Sequence, residues 1–338
     1  MRLETTMPFP QSLVFTNPIV SSESIGDPWV VFHEGFYYLT GTFDGLSIRI
    51  WKSVSLAGME SAEKTVVWTA PDEGPQSRQV WAPELHLVGN RWYLYFTASD
   101  GIDSRHRHYV LESEDSDPLG PYWDRGRVDP LLESYAIDGS LLRMPDDRLY
   151  FMYAADGLCI APMDGPLRVS GPGVRFARGE HDWERAWVLE GDTWRKSLSF
   201  WIEAPTALWK NGTLFVVYSA GHTATPDYYL GLLRLEGDDP LDPTAWVKYP
   251  DPVFGPYSGP DGVVLSPGHN SFTKSRDGAE DWIVYHGRDS DGRGGMGERT
   301  ARAQPFEWKA DGTPHFGHPI PTFGKSRAGS SLTKQGNT

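Results

Sequence analysis

Three carboxylates and a histidine stand at matching places along this chain. Asp27, Asp138 and His269 each open a short segment that returns five times, and Glu203 directly precedes the fourth opening, Ala204. Asp-Pro and Asp-Gly are ordinary turn dipeptides, so any one of them alone reads as structural. Recurrence in phase changes that reading. A carboxylate at an inner strand start is costly to desolvate without a partner. Two Asp and a Glu brought together therefore point to a functional cluster, in which carboxyl groups shift one another's pKa and proton transfer is the chemistry on offer.

The elements that must bring them together are five copies of one pattern. They begin at Asp27 (DPWVVFHEGFYYLTGT), Ala82 (APELHLVGNRWYLYFTAS), Asp138 (DGSLLRMPDDRLYFMYAAD), Ala204 (APTALWKNGTLFVVYSAG) and His269 (HNSFTKSRDGAEDWIVYHG), with starts about 55 to 66 residues apart. Each copy holds an apolar stretch, a turn and an aromatic-rich strand. Glu-Gly, Gly-Asn and Asn-Gly at the turns tolerate positive φ and join antiparallel strands. This predicts an all-β fold, a five-bladed β-propeller with antiparallel four-stranded blades around a central channel, in which equivalent inner-strand positions converge on one small volume. One domain is expected over residues 1–324, and the polar stretch 325–338 reads as a disordered tail.

Composition narrows the partners. A formal net charge of −14 excludes a nucleic acid or an anionic membrane, either of which needs a basic face. Fourteen Trp, 15 Tyr and 15 Phe fill a core and leave aromatic surface to stack on a flat ligand such as a sugar. The single cysteine, Cys159, precludes an intrachain disulfide and reads as a small core residue. The start, MRLETTMPFPQSLVF, lacks the basic and apolar runs of a secretory signal, which predicts a cytoplasmic protein. Other signals fail on spacing. His106, Arg107 and His108 lack paired zinc-ligand spacing and read as a loop at the pocket rim. Asp289, Asp291 and Gly292 begin a calcium loop that has no closing glutamate, and GRGGMGER, without a Lys-Ser/Thr, reads as a flexible loop near the site.

Six motifs in order resemble glycoside hydrolase family 43, a group of inverting five-bladed propellers acting on arabinan and xylan fragments. GDPWV resembles the first-blade motif of the general base, which implies that role for Asp27. IDGS resembles the motif of the auxiliary aspartate, Asp138, and IEAP that of the general acid, Glu203. WAPELH and GHNSF are similar to two further landmarks, the second implying a calcium ion held through waters by His269. The stretch RAQPFEW implies a substrate-facing arginine at Arg302.

On this resemblance the expected activity is that of an exo-acting α-L-arabinofuranosidase releasing arabinose from α-1,5-linked arabino-oligosaccharides. The rivals are a β-xylosidase and a sugar-binding propeller without catalysis. Inversion needs a protonated acid and an ionised base about 6.5–9.5 Å apart, with water between base and sugar. Asp138 would raise the pKa of Glu203 by like-charge repulsion. Trp81, with Phe43 and Trp201, is expected to stack on the sugar, and Arg302 to hydrogen-bond its hydroxyls. No organic cofactor is expected.

Overall fold

The computed structural model describes residues 15–129, 132–191, 193–289 and 298–322. Blade 1 holds β1 (Gly26–His33), β2 (Phe36–Thr42), β3 (Ser47–Ser53) and β4 (Glu63–Thr69). Blade 2 holds β5 (Arg78–Val88), β6 (Arg91–Ser99), β7 (Arg107–Ser113) and β8 (Tyr122–Arg127). Blade 3 holds β9 (Ile137–Arg143), β10 (Leu149–Ala155), β11 (Gly157–Met163) and β12 (Val174–Ala177). A separate two-stranded hairpin follows, β13 (Arg185–Glu190) and β14 (Thr193–Phe200). Blade 4 holds β15 (Ile202–Lys210), β16 (Thr213–Gly221), β17 (Tyr228–Leu235) and β18 (Trp246–Lys248). Blade 5 holds β19 (Tyr257–Gly259), β20 (Gly262–Lys274), β21 (Asp281–Arg288), β22 (Thr300–Trp308) and β23 (Pro314–His315).

Strands within a blade run antiparallel because tight turns join them. Glu34-Gly35 and Asn211-Gly212, with φ of 46° and 84° and of 48° and 82°, connect the directly paired His33 and Phe36, and Lys210 and Thr213. Five buried clusters form the core, one in each seam between neighbouring blades. Met152 and Ile160 of blade 3, for example, pack with Val216 and Leu233 of blade 4. Each blade buries its second face only against the next, so the ring must close. It closes where residues 15–25 run beside β22: Ile19 N–H donates to Ala301 O at 2.8 Å, and the Asn17 amide exchanges hydrogen bonds with both backbone groups of Ala303.

Two features depart from the expected four-stranded pattern. Blade 5 has five strands, because β20 runs for 13 residues and its first part extends beyond the repeat to pair with the short β19. The β13–β14 hairpin lies in the stretch between the third and fourth copies, where none of the recurring signals falls.

Candidate active site

The five copy openings are the five places where the inner strands bulge. Asp27, Ala82, Asp138, Ala204 and His269 all sit at positive φ, between 46° and 57°, each inside a register shift between the first two full-length strands of its blade. Positive φ is uncommon outside glycine, and a bulge re-aims the side chain it carries. Here the bulges direct Asp27, Asp138 and His269 at one cavity of about 1290 Å³, which Glu203 also lines.

Asp27 is buried and held at both oxygens. Oδ1 accepts from Arg299 Nη1 at 2.7 Å, and Oδ2 accepts from the Thr42 hydroxyl at 2.6 Å. Nδ1 of His269 is 3.2 Å from Oδ1. Burial alone would raise this carboxyl, but Arg299 first and then His269 outweigh it and hold Asp27 well below the usual carboxylate range. Arg299 reaches it past Gly26, where a Cβ would lie 2.1 Å from the guanidinium. His286 accepts the Asp27 backbone N–H on Nδ1 at 3.1 Å, which leaves its proton on Nε2, 2.9 Å from Thr223 Oγ1. Burial, with the charge of Arg299, pushes that imidazole down to about 3, so it stays neutral.

Among the described residues, no cation hydrogen-bonds the carboxylates of the opposite wall. Glu203 accepts from Trp201 Nε1 at 2.5 Å and from the Tyr228 hydroxyl at 2.7 Å. Burial raises its pKa and the charge of Asp27 adds to the rise, against the pull of those two donors and of Arg299. Asp138 is raised well above the usual range by burial and then by the charges of Glu203, Asp27 and Glu84. The Ala204 N–H, 3.1 Å from Oδ2, opposes that rise. The cluster can therefore present an ionised carboxylate beside Arg299 and a carboxyl that keeps its proton across the cavity, the two states that general base and general acid require.

Expected substrate contacts divide. Phe43, Trp81 and Trp201 all line the cavity. Trp81 stacks on His106 at 4.1 Å and Phe43 on Trp51 at 4.5 Å, while the indole N–H of Trp201 goes to Glu203. Arg302 does not line the cavity. It lies within β22, opposite Tyr285, with its guanidinium buried against Asp289, Thr322 and Ile320 O, whereas Arg299, just before β22 begins, lines the cavity. The HRH segment is not a rim loop either. His106 is buried beneath Trp81, and His108 is buried against Phe151 in β10; Asp100, Gly101 and Asp103 line the cavity beside them. GRGGMGER, apart from Glu298 and Arg299, lies outside the described residues.

Sequence reasoning missed Arg299, Tyr228, Thr42 and His286. Gly268 offered one signal, since a Cβ there would lie 2.3 Å from the Tyr228 ring. Calcium is not supported by the donors present. Among the described residues no three His, Cys, Asp or Glu side chains form a metal-holding group, and Nδ1 of His269 lies 3.2 Å from Asp27 and 3.9 Å from Asp138. A hard cation seeks six to eight oxygens, which these side chains do not supply directly.

With this geometry in place, the comparison with known proteins is specific. Residues 15–314 match glycosyl hydrolases family 43. The chain belongs to that family. It is 33% identical to the Humicola insolens alpha-L-arabinofuranosidase 43 over 87% of its length, and 32% identical to an extracellular exo-alpha-(1->5)-L-arabinofuranosidase of Streptomyces avermitilis over 93%. It spans 62% and 66% of those two relatives. The crystal structure of an alpha-L-arabinofuranosidase from Lactobacillus brevis superposes with a TM-score of 0.81 at 31% identity, covering 92% of this chain and 99% of that one. As a family 43 member, the chain has its three carboxylates on the blades that the GDPWV, IDGS and IEAP motifs imply.

Proposed function

We propose that this chain is an inverting, exo-acting α-L-arabinofuranosidase that releases L-arabinofuranose from α-1,5-linked arabino-oligosaccharides. One observation carries the reading: a single cavity faces Asp27, held ionised by Arg299, and Glu203, whose pKa is raised by burial and by the charge of Asp27. Glu203 gives its proton to the glycosidic oxygen as the anomeric C–O bond breaks. Water on the other face of the ring gives a proton to Asp27 as its oxygen bonds to the anomeric carbon. Asp138, on the Ala204 backbone beside Glu203, orients the acid. The arabinofuranosidase names of the relatives support the choice of pentose.

The test is a pair of chromogenic substrates together with debranched arabinan. The reading expects faster hydrolysis of an aryl α-L-arabinofuranoside than of an aryl β-D-xyloside, and arabinose as the first soluble product from arabinan. Faster xyloside hydrolysis would make the chain a β-xylosidase. Early mixed oligomers would mean an endo-acting cleft, and binding without turnover of either glycoside a sugar-binding propeller.

A further inference from the structure

The bulges that aim the site residues share a second regularity. Each opening residue donates its backbone N–H across the seam to the preceding blade: Asp27 to His286, Ala82 to Thr42 at 2.8 Å, Asp138 to Thr97 at 3.2 Å and His269 to Ser219 at 2.8 Å. Those four acceptors occupy one position. Each pairs, on the second full-length strand of its blade, with the residue just before the bulge: Thr42 with Gly26, Thr97 with Trp81, Ser219 with Glu203 and His286 with Gly268. In blade 3 the same position, opposite Ile137, is Ala154, fully buried and without a polar atom. The Ala204 N–H across that seam is instead accepted by the Asp138 carboxylate.

Blades 1 and 3 thus carry aspartates at the same bulge position with different duties. In blade 1 the Thr42 hydroxyl takes the Ala82 N–H and passes its own proton to Asp27 Oδ2 at 2.6 Å, one acceptor and one donor both satisfied. Asp27 is left one step back from the seam, where its other oxygen meets Arg299. In blade 3 no hydroxyl intervenes and the carboxylate itself closes the seam. The blades repeat around the ring, so Asp27 stands to Ala82 as Asp138 stands to Ala204, and the Asp138 geometry shows that an aspartate here can reach the next blade's backbone.

We propose that the residue at this position decides which of the two equivalent aspartates is free to serve as base, Thr42 holding Asp27 off the seam and Ala154 committing Asp138 to it. Thr42 is then a positioning residue for Asp27. The inference rests on the glycosidase reading only for its kinetic consequence.

The test pairs Thr42→Val, which keeps the branched shape and removes the hydroxyl, with Thr42→Ser, which keeps the hydroxyl. The valine variant should lose about 10²-fold in kcat with KM within a factor of about three, because its base has turned to the Ala82 N–H, whereas the serine variant should keep a third or more of kcat. The crystal structure of the valine variant should show an Asp27 oxygen about 3 Å from Ala82 N. In Ala154→Ser the new hydroxyl should take the Ala204 N–H, and Asp138 should withdraw from it. Undiminished kcat in Thr42→Val, equal losses in the two Thr42 variants, or no Asp27 oxygen within hydrogen-bond reach of Ala82 N in the valine crystal would overturn the proposal. Wild-type protein inert on every glycoside would overturn the glycosidase reading instead, and the crystal structures would still decide where the two carboxylates go.

Discussion

The two sides of the cavity are made of the same parts and reach opposite protonation states. Asp27 in blade 1 and Asp138 in blade 3 share a bulge, a positive φ and deep burial, and burial pushes both carboxyls upward. Arg299, aided by His269, reverses that push on the Asp27 side. On the other side Asp138 and Glu203 meet carboxylates, an indole N–H, a phenol and a backbone amide, and the push stands. Burial therefore supplies the perturbation and the placement of one guanidinium supplies its sign. A propeller can hold carboxyls at one repeated position in opposite protonation states by varying what the neighbouring segments bring to each.

The comparison breaks most visibly at the carboxylates themselves. Asp27→Asn and Glu203→Gln should each keep the fold and lower kcat on unactivated oligosaccharides by about 10²–10⁴-fold or more. Only the Glu203 variant should recover on an aryl glycoside whose leaving group needs little protonation; equal recovery of both would reverse or void the assignment. Next in size is Arg299→Met, expected to lower kcat/KM by about 10²-fold and to move the acid limb of its pH profile upward, since Asp27 loses the charge that depresses it. Gly26→Ala should act in the same direction by displacing that guanidinium. An unmoved acid limb in both would remove Arg299 from the account.

Tyr228→Phe sharpens the other side with a smaller effect. The lost hydrogen bond favoured ionised Glu203, so the alkaline limb should move upward while kcat falls only several-fold, as pH–rate profiles would show. The smallest effect is on stability. A carboxyl raised in the folded state favours folding below its unfolded pKa of about 4.3, and that contribution is lost as pH rises through the folded value. Glu203→Gln should thus melt about 2–4 °C above wild type at pH 8, with the gap narrowing toward pH 4. Asp27 has the opposite sign: its depressed pKa stabilises above about 3.9 and is lost as pH falls through the folded value, so Asp27→Asn should melt below wild type at pH 8.

The blades were legible because their signals are local. Turn residues such as Asn211-Gly212 and aromatic strands such as RWYLYFTAS specify hairpins, and in-phase openings place Asp27, Asp138 and His269 together. Much of what escaped comes from chain segments where nothing repeats. Tyr228 starts a third strand, Arg299 precedes β22 where the motif pointed three residues further on, and the β13–β14 hairpin that brings Trp187 to the cavity has no counterpart in other blades. His286 was within reach, since it occupies the place of Thr42, Thr97 and Ser219. An imidazole among hydroxyls hides that equivalence until the strand register shows it.

The pairing of an ionised Asp27 with a protonated Glu203 across one cavity is tested most directly by the stereochemistry of the first product. Proton NMR recorded within the first turnovers on α-1,5-arabinobiose, before the released sugar mutarotates, should show arabinofuranose in the β configuration. Arabinofuranose appearing first as the α anomer would mean a covalent intermediate and retention, and would contradict the roles assigned to Asp27 and Glu203.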